Sequence, residues 1–198
     1  EWHSSIEKHI KFFAETGPRI PGSLEEKLAI EYINNQLKIY GLDPRTFNIT
    51  DKDLDHSLFS VIDTKIEGLQ SDTLLIGIPI NTKLSIRKKS SNVTKQSLES
   101  IYESISLAVA LTLANELSSV SSLPVTIRFL FLGSEHEDYS SSSSLGSRLF
   151  LREFQAHRPI AMLYFDLTDI PIKIRQRDSV ILTASTSFSL ASVISISS

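Results

Sequence analysis

Cysteine is absent from the 198 residues, so neither a disulfide nor a thiolate metal site can hold this chain together. The length suffices for one domain with an apolar core of its own, residues 1–198 taken as a unit. No apolar run approaches the ~20 residues that a membrane-spanning helix needs. An excess of either charge is also missing. Twenty basic residues against 23 acidic ones leave a net charge of −3, which gives no footprint for a nucleic acid or an anionic membrane. Tryptophan occurs once, and Trp2 is expected to be a packing anchor. No Gly-x-Ser-x-Gly elbow accompanies the serine run 140–144, so that run reads as a loop rather than the seat of a nucleophile. The chain opens on Glu1, which reads as a processed or trimmed product with any signal peptide out of view. The absence of cysteine is compatible with the cytosol and with an exported compartment.

What is present is ordinary globular material, 41% hydrophobic, arranged around the stretch VTIRFLFLGSEHEDYSSSSSLGS at 125–147. Val125–Leu132, interrupted only by Thr126 and Arg128, reads as a central strand buried on both faces. It leads through Gly133-Ser134 into Glu135, His136, Glu137 and Asp138. In an open α/β sheet, chemistry gathers just past the carboxyl ends of such strands. These four residues are either a metal-site remnant or a solvated acidic loop.

Before this stretch, Ser4–Glu15 has helical spacing and stops at Gly17-Pro18. Ser23 with Glu26 makes a capping box for a second helix that runs to Tyr40 and ends at Gly41, with an apolar stripe of Leu24, Leu28, Ile30, Tyr32, Ile33, Leu37 and Tyr40. Arg45–Thr50 and Leu58–Lys65 read as an antiparallel pair at a sheet edge. Thr73–Ile80 is a second central strand, with Pro79 placed at its exit because proline cannot donate within a ladder. Lys83–Lys95 holds five basic residues and no acidic one, either a solvated loop or an anion-binding one. Ser97–Leu117 is a long helix, largely buried against the sheet. Leu145–Phe154 is a helix, and Pro159–Phe165 a third central strand ending at Asp166. The tail 180–198 is a strand or a helix. Asn48-Ile49-Thr50 and Asn92-Val93-Thr94 match the glycosylation triplet, which often occurs by chance. Of His3, His9, His56 and His157, most are expected to have surface roles. The alternation of strands and helices gives an α/β domain with a mostly parallel sheet.

Three segments taken together resemble the zinc-dependent aminopeptidases, the family of aminopeptidase S, glutamate carboxypeptidase II, glutaminyl cyclase, the transferrin receptor ectodomain and nicastrin. FFAETGPRIPGSLEEKLAIEYINNQLKIYGL resembles the family's entrance helices, which here cover residues 1–42. LPVTIRFLFLGSEHE followed by LGSRLF resembles the strand that delivers the catalytic acid and the helix behind it. AMLYFDLTD resembles the strand whose terminal aspartate binds metal. The resemblance implies a three-layer α/β sandwich with a mostly parallel mixed central sheet, its C-terminal part missing or shortened, and an extracytoplasmic setting.

In that family two zinc ions share a bridging aspartate, and an unliganded glutamate takes the proton from the bridging water. The resemblance puts the base at Glu135, the adjacent ligand at His136 and the aspartate ligand at Asp166. The strand-exit histidine-x-aspartate falls on Pro79-Ile80-Asn81 and the bridging aspartate near Tyr102, beside Glu103. The family's last histidine would lie beyond residue 198. Proline cannot ligate and asparagine offers only a neutral oxygen, so too few ligands remain for two metals. The expectation is a degenerate member without a resident cofactor, binding a peptide or protein partner or associating with itself through an open sheet edge. The alternative is a hydrolase or cyclase-like acyl transferase with a reduced one-zinc site of His136, Asp166 and a third ligand such as Glu103.

Overall fold

Three apolar runs make the centre of the sheet, and their alternation decides where the helices sit. The structure, a computed structural model, describes residues 2–50, 58–82, 93–135, 146–147, 150, 159–165, 181–185 and 191–195. Its elements are α1 (Trp2–Thr16), α2 (Leu24–Ile39), β1 (Arg45–Thr50), β2 (Leu58–Ile66), β3 (Gln70–Pro79), α3 (Val93–Ser118), β4 (Val125–Leu132), β5 (Ala161–Tyr164), β6 (Ile181–Ser185) and β7 (Ala191–Ser195).

The strands form one mixed sheet in the order β1-β2-β4-β3-β5-β6-β7. β4, β3 and β5 run parallel at its centre. The β1–β2 and β2–β4 pairs on one side and the β5–β6 and β6–β7 pairs on the other are antiparallel. The edge hairpin and the three central strands are thus where the sequence pattern puts them. The tail, open between helix and strand in the sequence, contributes β6 and β7.

Side chains on successive strand residues point to opposite faces. Ile62, Ile76, Ile78, Ile127, Phe129 and Phe131 face one way and meet Phe13 of α1, Ala29, Ile33 and Leu37 of α2, and Leu107 and Leu111 of α3. Val61, Leu75, Leu130 and Leu132 face the other way and close on Phe150. Burial on both faces is what the unbroken apolar runs require, and it supplies the main driving force for the fold. Arg128 interrupts its run for a reason. Its guanidinium grips Asp63 of β2 through two hydrogen bonds of 2.7 and 2.6 Å and lies 5.1 Å over the Phe150 ring. A forked pair of this kind fixes register between β2 and β4 as well as covering the apolar face.

The helix ends follow their sequence signals with one shift. Ser23 Oγ accepts the Glu26 N–H at 3.1 Å, but the Glu26 carboxylate reaches past Ser23 and accepts the Gly22 N–H at 2.6 Å. The box is therefore closed one residue early. At the other end of α2, Gly41 adopts φ +78°, Gly41 N–H donates to Lys38 O and Leu42 N–H to Leu37 O, both at 3.0 Å. That pair of bonds is the left-handed helix stop that glycine favours.

The expected apolar stripe of α2 is corrected. Leu24 and Leu28 are 66% and 42% exposed, whereas Ala29, Ile33, Gln36 and Leu37 are buried together with Glu26. The helix is rolled because Glu26 is drawn inward by partners that no periodicity argument contains. Trp2 is 45% exposed rather than an anchor, and His9 is buried rather than at the surface. Among the described residues no helix is long and apolar enough to cross a membrane.

This roll predicts unequal costs along one helix. Leu24→Ser is expected to change unfolding free energy by less than about 0.5 kcal/mol, and Ile33→Ala to cost about 2–5 kcal/mol. Urea denaturation of the two variants checks this, and equal losses would restore the stripe read from the sequence.

Candidate functional site

The carboxyl ends of β3, β4 and β5 lie side by side, so the residues that follow them meet at one edge of the sheet. In parallel sheets this edge collects functional groups because loops diverge there and leave a crevice.

β3 ends on Pro79. Ile80 N–H still donates to Leu132 O of β4 at 2.8 Å. Because N–H groups alternate sides along a strand, the one missing at Pro79 would point toward β5, where pairing stops at Gly77↔Tyr164. Proline is accommodated there because the ladder to β5 has ended.

Asn81 follows, 1% exposed. Its Nδ2 donates to Glu26 Oε1 at 2.7 Å and to Arg19 O at 3.0 Å, and its Oδ1 accepts the Ser134 N–H at 2.6 Å. One side chain thus joins α2, the turn before it, β3 and the turn after β4. The Arg19 main chain and side chain grip the same strand exit. Nε donates to Ile80 O at 2.8 Å, the Arg19 N–H to Thr82 Oγ1 at 2.9 Å, and Thr82 N–H to Arg19 O at 3.2 Å. The guanidinium rests 5.4 Å from the Phe13 ring centroid, fully buried.

After β4 the chain makes a sharp turn. Ser134 is fully buried with φ +54°, a left-handed conformation that a residue with a Cβ adopts only under constraint, and here its N–H is held by Asn81. Its hydroxyl has no hydrogen-bond partner among the described residues.

The turn delivers Glu135, 4% exposed. Glu135 Oε1 accepts the Ser147 N–H at 2.6 Å, and Oε2 accepts the Ser147 hydroxyl at 3.1 Å and the Tyr164 hydroxyl at 3.4 Å. Gly146 and Ser147 are helical, and the carboxylate takes the Ser147 amide. Gly146 is needed for the approach. A Cβ there would collide with the Gly133 carbonyl and lie 3.0 Å from Glu135 Oε1.

Of the residues the sequence singles out, Pro79, Asn81 and Glu135 stand together at this edge. His136 and Asp166 lie outside the described residues. So do the Lys83–Lys95 run up to residue 92 and the serine run 140–144. Tyr102 and Glu103 fall within α3, with side chains outside the described set. Sequence reasoning missed the parts played by Arg19, Glu26, Ser134, Ser147 and Tyr164. The one available signal was the Pro18–Gly22 turn, stiff enough to present Arg19 and to place Glu26 near the sheet edge.

The strand-exit positions hold a side chain without a donor and an amide whose oxygen is already bonded. Among the described residues no group of three or more His, Asp or Glu side chains is placed to hold a metal.

Asn81 is specified as an amide by its neighbours. In Asn81→Asp a carboxylate oxygen would stand 2.7 Å from Glu26 Oε1 where Nδ2 now donates, and two carboxylates in contact cannot both ionise. The variant is expected to lose about 3 kcal/mol at pH 8 and clearly less at pH 5, where the pair shares a proton. Denaturant unfolding at both pH values measures this, and a loss independent of pH would contradict it.

No family model and no curated protein matches the chain. Solved structures do match in fold. A glutaminyl cyclase of Porphyromonas gingivalis superposes with a TM-score of 0.66 at 20% identity, covering 83% of this chain and 58% of that one. A Zn-dependent exopeptidase from Parabacteroides distasonis gives 0.68 at 15% identity, covering 83% and 61%. A leucine aminopeptidase precursor from Bacteroides thetaiotaomicron gives 0.62 at 17%, again covering 83% and 61%. The chain thus spans about 60% of the length of these structures. Its sheet order, its entrance helices and the edge where Asn81 and Glu135 meet are built on the fold of the zinc-dependent exopeptidases and glutaminyl cyclases.

Proposed function

We propose that this chain uses an exopeptidase framework to bind a peptide or protein partner rather than to turn over a substrate. The observation that carries the reading is Asn81. At a position where the resemblance implies an acidic residue of the metal centre, both poles of a neutral amide are committed to holding the sheet edge closed. Pro79 beside it removes a second donor. A catalytic zinc is held by about three protein ligands with one position open, so these two losses weigh heavily. The outer strands β1 and β7 add backbone edges on which a partner strand, including one from a second copy, could pair. An extracytoplasmic setting rests on the family resemblance.

A second reading has one observation in its favour. Glu135 is a buried carboxylate oriented by three donors at the strand end, as a general base would be. In that reading His136, Asp166 and Glu103 form a reduced one-zinc site, and Glu135 takes the proton from an attacking water or amine.

Metal content separates the two. The protein, incubated with zinc and freed of excess by gel filtration, is expected to carry no stoichiometric metal by elemental analysis. It should leave an aminoacyl reporter and a peptide with N-terminal glutamine unchanged. Stoichiometric zinc that is lost in His136→Ala, with turnover that stops in Glu135→Gln, would sink the binding-module reading in favour of the second.

A further inference from the structure

α1 packs chiefly along α3 and is joined to α2 through a buried imidazole. His9 is 1% exposed. Its Nδ1 lies 2.8 Å from the Tyr32 hydroxyl and its Nε2 3.0 Å from the Tyr40 hydroxyl. Tyr40 Oη is also 3.3 Å from Gln36 Oε1, an atom that only accepts. These contacts have one consistent proton order. Tyr40 donates to Gln36, the His9 Nε2–H donates to Tyr40, and Tyr32 donates to Nδ1. In that order His9 is neutral and each of its nitrogens has a partner. Phe12 stacks on Tyr32 at 3.6 Å between centroids, and Tyr32 meets the His9 ring edge-on at 5.8 Å.

A second proton would go to Nδ1. That turns the Tyr32 contact into a clash of two donors unless the hydroxyl rotates away, and it seals a cation among aromatic rings. The groups facing the imidazole give it no compensating charge. From α1 the acting charge is Lys8, which repels. From α2 the neighbours are Tyr32, Tyr40 and Gln36, all neutral. α3 touches α1 where the Thr112 hydroxyl donates to Ser5 Oγ at 3.3 Å, and Glu116 is the one ionisable residue between positions 104 and 118.

We propose that His9 is an acid-operated latch, whose protonation releases α1 from α2 and, through the turn that follows α1, loosens the Arg19 grip on residues 80–82. The mechanical link is short. α1 ends at Thr16, and Arg19, three residues on, bonds to Ile80 and Thr82 and lies against Phe13 of the same helix. The latch is independent of whether the sheet edge binds a partner or turns over a substrate.

The direction of the pH effect follows from where the proton is held. Burial, with Lys8 adding to it, pushes the His9 pKa down from 6.5 to about 4. Above about pH 6.5 the docked and released forms are both neutral, and docking is at full strength. Between 6.5 and 4 only the released imidazole takes up the proton, so docking weakens as pH falls, and below about 4 the effect levels off. The release equilibrium is expected to rise about 30-fold from pH 8 to pH 5.

Native-state hydrogen exchange on the whole chain, corrected for intrinsic rates, reads this out. Protection of the α1 amides and of the Thr82 amide should fall together by about 30-fold between pH 8 and pH 5, and should stay level in His9→Phe. An equal fall in His9→Phe, or loss at α1 without loss at Thr82, overturns the proposal. Should His9→Phe fail to fold, the imidazole titration of the wild-type protein by NMR decides: a midpoint near 4 supports the latch, and a midpoint near 6.5 refutes it.

Discussion

An amide can donate and accept at the same time, whereas a carboxylate at neutral pH can only accept. The sheet edge depends on that difference at residue 81. The Ser134 N–H demands an acceptor, while the Glu26 carboxylate and the Arg19 carbonyl demand donors, and asparagine meets all three from one buried position. Glu26 can be buried because this amide and the Gly22 N–H satisfy it. Burying Glu26 in turn rolls α2 so that Leu24 and Leu28 face outward. A single side chain at the end of β3 therefore reaches back to Glu26, 55 residues earlier in the chain, and acts with the core residues Ala29, Ile33 and Leu37 on the orientation of α2.

The two carboxylates at the edge are handled differently. Glu26 is a structural anion, tied to the start of its own helix and to Asn81. Glu135 is held at the sheet's carboxyl end by Ser147 and Tyr164, and the Gly133–Gly146 contact lets that helical segment come close enough to donate. The donors fix both carboxylate oxygens of Glu135 in place at the end of β4.

The core was legible in the sequence because apolar runs and turn residues are local signals. Val125–Leu132 and Thr73–Ile80 could hardly be anything but central strands, and Gly41 marked its helix stop correctly. Pro79 at the exit of β3 was also readable, since proline has few places in a sheet. The failures share a cause. Leu24 and Leu28 have the right spacing for a buried stripe, but the face of α2 is chosen by Glu26, whose partners stand at positions 22 and 81. His9 looks like a surface histidine until Tyr32 and Tyr40 are brought to it by the packing of α2. At the site, Asn81 could be named as a poor metal ligand, but what it does instead depends on residues 19, 26 and 134. Polar contacts at such separations leave no periodicity, and composition cannot register them.

A metal centre at the ends of parallel strands has a structural effect besides its chemistry: it ties together loops that would otherwise diverge. Any such edge must be kept from fraying, because unpaired backbone groups there are costly to bury. In this chain the network of Arg19, Glu26, Asn81, Thr82 and Ser134 performs that task with neutral and charge-assisted hydrogen bonds. Its geometry constrains substitution at position 81. An acidic residue at 81 would have to be accompanied by a change at 26, since the two oxygens would otherwise meet, and by a new partner for the Ser134 N–H if the carboxylate turned toward a cation. The residues around the edge are mutually specified, so the amide at 81 is part of the fold's stability.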